Sequence, residues 1–360
     1  MPYNWDASRK RIIGTFFGTS KIDRVPYFPL ACEEMICRIT GKTYKEIIAS
    51  PKNYANAAIS TFEFLKADTI SIPTAYAGPG EALAFAEANN KTDSIKWFDY
   101  KVFMAEQGVV CKTEEDIERL EIPDHRKVSV WDTCISAIEI INKKIGMGGL
   151  CLGIWSVVQE LRGIQAYRDM RRNPDLLLKL CEKVYESQMD VLNFYQEKMG
   201  GTGIIFFTGY SFNKHMMSFE DAMKFEGQFI KRIQEKTKAP IILHNCGTSP
   251  YFKEVCSEID LLAVNGSHPL DIGYWVNFKE KFPKVTIIGA NIDVSRELLN
   301  GTPQDVENKV KENITNLAAG GRYIVGPICC LPWGVSLKNI MAIPKAIKKF
   351  GTHPPVLIND

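Results

Sequence analysis

Apolar positions along the chain fall into short unbroken runs separated by longer stretches in which they recur every three or four residues. The runs are RVPYFPL (24–30), DTISIPT (68–74), GLCLGIW (149–155), GIIFFTG (203–209), APIILHN (239–245), DLLAVNG (260–266), VTIIGAN (285–291) and RYIVGP (322–327). Most are apolar at successive rather than alternate positions, the mark of strands covered on both faces. The stretches between them carry helical spacing. NPDLLLKLCEKVYESQMDVLNFYQEKM (173–199) opens on Asn-Pro-Asp. SFEDAMKFEGQFIKRIQEKT (218–237) and TPQDVENKVKENITNLAAGG (302–321) open on capping residues followed by acids, and the latter runs into Gly-Gly.

Strands and helices alternating in this way predict an α/β fold, a (β/α)8 TIM barrel. A doubly wound sheet is the rival, but no G-x-G-x-x-G follows the first run as a dinucleotide fold would require. Residues 76–130 are too many for one crossover and predict an insertion after strand two. No linker or low-complexity segment divides the chain, so a single domain is expected over 1–360.

Composition narrows the function classes. Basic and acidic residues number 44 and 42, for a net charge of +2, so nothing points to nucleic acid. No apolar stretch approaches membrane-spanning length, and the start MPYNWDASRKR lacks a signal peptide's apolar core, which predicts a cytoplasmic protein with no membrane partner. The ten cysteines are scattered and are expected to be reduced thiols.

Three of those thiols change the picture. If the fold is a barrel, residues that follow the strands share its C-terminal mouth, where barrel enzymes keep their sites. His244 and Cys246 end the fifth run, and GPICCLPWG sets Cys329 and Cys330 after the eighth. One imidazole and two thiolates suit zinc with a fourth position open. Glu33, Glu34, Tyr76, Trp155, Gln159, Tyr210, Asn265, His268, Asn291 and Asp293 share the predicted mouth. Tyr76, Trp155, Phe207, Tyr210, Met216, Met217 and Trp333 are candidates to line a flat apolar pocket, although packing between barrel and helices accounts for most such residues. His215 and His268 read as ordinary polar loop residues.

The chain resembles the zinc-dependent corrinoid methyltransferases of the uroporphyrinogen decarboxylase superfamily. The likeness rests on DRVPYFP, GLCLGIWSVVQELRG, MRRNPDLLLKL, the H-x-C-G of HNCG, ANIDVSRELLNGTPQDVENKVKENI and GPICCLPWGVSLKNI, and so covers nearly the whole chain. It implies Zn2+ held by His244, Cys246 and, from the ten-residue interval to Asn339, Cys329, with Cys330 the alternative. Ile328 stands where the family usually has Gly, and PWGVSLKN departs from its usual A-P-x-T-P-x-E-N.

The activity implied is methyl transfer between a corrinoid, brought by a separate carrier protein, and a small molecule. That molecule is a methoxylated aromatic (O-demethylation) or a thiol such as coenzyme M. Glu33 is the candidate acid, Asp293 a candidate orienting group, and Tyr76, Trp155 and Tyr210 candidate substrate contacts. The metal-free decarboxylase branch is the alternative, disfavoured because YFPLACEEMICR puts acids where its R-Q-A-G-R arginines should meet carboxylates. A non-catalytic zinc-binding carrier partner is the other alternative. The chain has no cobalamin-binding D-x-H-x-x-G of its own.

Overall fold

The computed structural model describes residues 3–18, 21–70, 79–146, 149–266 and 268–352. In it a short antiparallel hairpin, β1 (Ile95–Trp97) and β2 (Val102–Met104), precedes six parallel strands. These are β3 (Gly149–Leu152), β4 (Ile204–Thr208), β5 (Ile241–Asn245), β6 (Ala263–Gly266), β7 (Thr286–Gly289) and β8 (Tyr323–Ile324), adjacent in chain order. The first two predicted runs extend the ring past β8. Phe28 N–H donates to the Val325 carbonyl and Val325 N–H to that of Pro26, and Asp68 N–H then donates to Tyr27, all at 2.9 Å. Pro26 and Pro29 have no N–H to give, so the first run pairs through a bridge rather than a full ladder. The architecture is a (β/α)8 barrel; residues 71–78 of the second run's end lie outside the described residues.

The barrel interior holds Phe28, Leu30, Ile242, Ala263, Ile288 and Ile324, packed against Ile12 and Phe16 of the helix Trp5–Phe17. Arg322, just before β8, donates to the Phe16 carbonyl, so this helix plugs the end of the barrel opposite the mouth. It is pinned through the buried Asp68 carboxylate, which accepts from Arg11, Arg24, Ser8 and the Tyr27 N–H at 2.7–3.0 Å. A carboxylate taken out of water needs such partners to remain charged.

The insertion comprises the helix Pro79–Ala88, the hairpin and the helix Glu114–Arg119, ahead of the helix Ser129–Ile145. A buried polar chain ties it to the helix Pro174–Met199. His125 contacts Asp190 at 2.8 Å and Glu81 at 2.9 Å, and Ser187 donates to Glu81. Two expectations need correcting. The run 149–155 is strand only to Leu152; Gly153 turns the chain, and Trp155 falls in the first turn of the helix Ile154–Arg162. The predicted helix over 218–237 is interrupted by a π turn, Met223–Gly227. Among the described residues no helix is long and apolar enough to cross a membrane.

Candidate metal centre and adjoining cleft

Strand alternation turns His244 into the barrel, in register with Thr208 and Asn265. Its ring is 4% exposed and stacks on Phe206 with centroids 5.4 Å apart. Its tautomer follows from its neighbours. Asn265 donates through Nδ2 to the Ile288 carbonyl at 3.0 Å, which turns Oδ1 toward His244 Nδ1 at 2.6 Å. An amide oxygen only accepts, so Nδ1 carries the proton and Nε2 presents a lone pair. Cys329 Sγ lies 3.9 Å from that Nε2. With Cys246 Sγ, the three donor atoms fall within 4.8 Å of one another.

The set fits zinc. Bonds of about 2.0–2.3 Å in a tetrahedron hold donors roughly 3.6–3.8 Å apart, so small side-chain rotations suffice. The thiols themselves invite a cation. Their mutual hydrogen bond, with burial, pushes Cys246 up to about 12. For Cys329 the Cys246 contact acts downward, but the Cys330 contact and burial outweigh it and leave that thiol at about 12 as well. Two adjacent thiolates need a positive charge between them, so ion binding would release protons. Cys330 is not in the cluster: its thiol turns to Cys32, which caps the helix Glu33–Thr40.

Glu33 opens that helix and is 8% exposed; burial pushes its carboxyl from 4.5 up to about 7. It faces Cys32, Cys37 and Cys330 electrostatically. Glu34 is committed elsewhere, accepting from Lys101 Nζ and from Trp333 N–H, each at 3.0 Å. Asp293 is a helix cap: one oxygen accepts from the N–H groups of Ser295 and Arg296 at 2.7 Å, as residues in that position do. It does not join the metal cluster.

Beside Cys246 opens a cleft of about 480 Å³, lined by Gln107, Ser156, Gln159, Glu160, Tyr210, Asn213, His215, Met216, Asn245 and the loop 246–248. Of the expected pocket residues that are described, Tyr210 and Met216 line it. Tyr76 lies outside the described residues. Trp155 is fully buried, with its indole N–H toward Tyr167 at 3.4 Å, so its side chain does not line the cleft. Phe207 and Met217 are buried too, whereas Trp333 is 47% exposed. Among the described residues the lining thus holds one of the expected aromatics and Met216 together with several amides and hydroxyls.

Three residues to which sequence patterns gave no role shape the site, although Asn265 falls at the predicted mouth. Asn265 orients the imidazole. Asn245, between the two donors, ties their strand to the loop after β4, donating to Gly209 at 2.7 Å and Phe212 at 3.1 Å. Glu226, in the π turn, is fully buried, and burial pushes it up to about 7. It accepts from Trp155 N–H at 3.0 Å and from Ser211 Oγ, joining the loops after β3 and β4 that carry the cleft walls. Each is a polar side chain within an apolar run or buried helix face, a faint sign that something there must be bonded.

A family model described as uroporphyrinogen decarboxylase (URO-D) matches residues 8–350. A methylated-thiol–coenzyme M methyltransferase of Methanosarcina mazei is 29% identical over 153 residues, which is 41% of this chain and 38% of that protein. A uroporphyrinogen decarboxylase of Campylobacter jejuni is 25% identical over 182 residues, 46% of this chain and 52% of that one. The matched region thus spans about half or less of these relatives' lengths. The solved structure of a methyltransferase from Methanosarcina mazei superposes with a TM-score of 0.75 over 95% of this chain and 98% of its own, at 16% identity, a likeness of fold.

Proposed function

The chain belongs to the uroporphyrinogen decarboxylase family, and within it we propose that it is a zinc-dependent methyltransferase. It moves a methyl group between a corrinoid, presented by a carrier protein at the barrel mouth, and a small thiol or methoxylated aromatic. The observation that carries this reading is the His244–Cys246–Cys329 cluster, three soft or borderline donors within 4.8 Å beside an open cleft. Three ligands with a free position are the arrangement of catalytic rather than structural zinc. Bound there, zinc supplies Lewis acidity to a substrate thiol or to the oxygen of a methyl donor.

The chain's own residues do the rest. Asn265 fixes the imidazole so that Nε2 faces the ion. For the proton that a thiol or phenol gains or loses we propose the buried Glu33 carboxyl, which does not itself line the cleft. The cleft walls hold the substrate and limit water around it. Porphyrinogen decarboxylation is the weaker reading, because a thiol–imidazole cluster has no part in it.

The test is metal content of anaerobically purified wild type, Cys329→Ala and Cys330→Ala, with methyl transfer followed as loss of methylcobalamin absorbance in the presence of thiols. About one zinc per chain is expected in the wild type and in Cys330→Ala, and none in Cys329→Ala, with turnover following the metal. Metal-free wild type would end the zinc reading and make tetrapyrrole decarboxylation the next assay. Zinc without turnover, but with carrier binding, would indicate a non-catalytic partner.

A further inference from the structure

Alternation sorts the inward residues of β4 and β5 into layers. Ile242 and His244, two positions apart, both turn into the barrel, with Phe206 in register with the first and Thr208 with the second. Phe206 therefore lies one layer below the imidazole and packs on the apolar barrel interior. Its ring joins a column of three. It stacks on Phe28 with centroids 6.2 Å apart and planes 13° from parallel, and on the His244 ring at 5.4 Å and 28°. Phe28 is 7% exposed, and its N–H is fixed to the Val325 carbonyl at 2.9 Å.

The imidazole thus has two supports, and they restrain different motions. Asn265 Oδ1 meets Nδ1 at the ring edge, 2.6 Å away, and decides which nitrogen is left for the ion. A hydrogen bond stays good over about 30° of misalignment, enough to swing the opposite nitrogen by roughly 1 Å. Metal–ligand bonds are set to within about 0.2 Å. The amide alone therefore leaves more freedom than a metal site tolerates. The stacked ring takes that freedom away, because tilting the imidazole drives one of its edges into Phe206. An aromatic face is also electron-rich and favours the positive charge that an imidazole acquires when a cation binds its nitrogen.

We infer that Phe206 is a positioning residue of the metal centre: its ring, held against Phe28, sets the plane of His244 and so the direction of the Nε2 lone pair. This rests on the zinc-binding part of the proposed function. Phe206 itself supplies no donor atom to the cluster and does not line the cleft.

The test is zinc affinity of the full chain, by competition with a chromophoric chelator, for wild type, Phe206→Leu and Phe206→Tyr. Cobalt(II) absorption and circular dichroism are recorded on the same proteins. Leucine keeps apolar bulk but loses the flat face, and tyrosine restores it. Phe206→Leu is expected to fold, to bind zinc about tenfold more weakly and to alter the visible cobalt(II) bands that report coordination geometry. Phe206→Tyr should stay within a few-fold of wild type and keep its bands. Should leucine prevent folding, Phe206→Met takes its place under the same expectations. Wild-type affinity and bands in the folded flexible variant overturn the inference, as does a tyrosine variant no better than leucine. The two failures are separable: wild type that binds no zinc ends the metal reading and this inference with it, whereas equal binding by wild type and Phe206→Leu ends the inference alone.

Discussion

Replacing Asn265 by Ala tests whether the imidazole is held for metal binding. The side chain is fully buried and joins two groups, accepting from His244 Nδ1 at 2.6 Å and donating to the Ile288 carbonyl at 3.0 Å. Its removal leaves a buried N–H and a buried carbonyl without partners, each costing about 1–3 kcal/mol where water does not enter. The effect on the ion is separable. A His ligand that loses the acceptor on its other nitrogen loses basicity and orientation, worth about 10–100-fold in metal affinity, or about 1.4–2.8 kcal/mol at 1.4 kcal/mol per decade. Asn265→Asp keeps an acceptor for Nδ1–H and should hold affinity within a few-fold of wild type while still losing the bond to Ile288. Zinc affinity is measured by competition with a chromophoric chelator, and folding by circular dichroism on the same samples. A folded Asn265→Ala protein that binds zinc as tightly as wild type would refute the claim that this amide sets the tautomer.

Three further outcomes follow from buried titratable groups. Glu33 has its folded value raised from 4.5 to about 7, so it favours the folded state fully at acid pH and ceases to do so as pH rises through that value. Glu33→Gln should match wild-type stability near pH 5 and exceed it near pH 8, by up to about 3 kcal/mol, in urea titrations; equal stability at both would refute the burial argument. For His125, burial opposes the charge but Glu81 and Asp190 outweigh it and raise the imidazole from 6.5 to about 9. Its stabilisation should be complete below 6.5, fade across that window and be absent above it, and His125→Gln should flatten the dependence. Glu226→Ala should raise KM by about tenfold through displaced cleft walls while zinc content stays unchanged; loss of zinc, or unaltered KM, would show that Glu226 does not position those walls.

Burial on both faces made most of the barrel legible, since β4 to β7 lie within predicted apolar runs and the helix Pro174–Met199 begins at its Asn-Pro-Asp. The reading failed where a local turn overrides periodicity. The run through Trp155 stayed apolar past Gly153, and apolarity alone does not separate a buried strand from a buried helix. The H-x-C spacing was readable because strand alternation puts positions two apart on one side. Cys329 and Cys330 are adjacent, so periodicity could not choose between them; in the structure Cys329 joins the donor cluster and Cys330 does not. Asp293 illustrates the reverse, an acid at the predicted mouth that also caps a helix through one of its oxygens. The amides of the cleft were invisible because Gln107 comes from the insertion and meets Gln159, Asn213 and Asn245 only in three dimensions.

The tripeptide His244-Asn245-Cys246 serves the two sides of one strand end, with His244 and Cys246 joining the donor cluster and the asparagine turned to the neighbouring loop. Such double duty makes that stretch a frozen part of the scaffold: any change there would disturb the donor cluster and the cleft floor together. Gln107, Gln159 and Met216 also line the cleft but come from the insertion, a helix and an outer loop that contribute no donor. Descendants of such a protein could therefore exchange one substrate for another at those three positions while the chemistry stayed intact, and libraries for altered selectivity belong there.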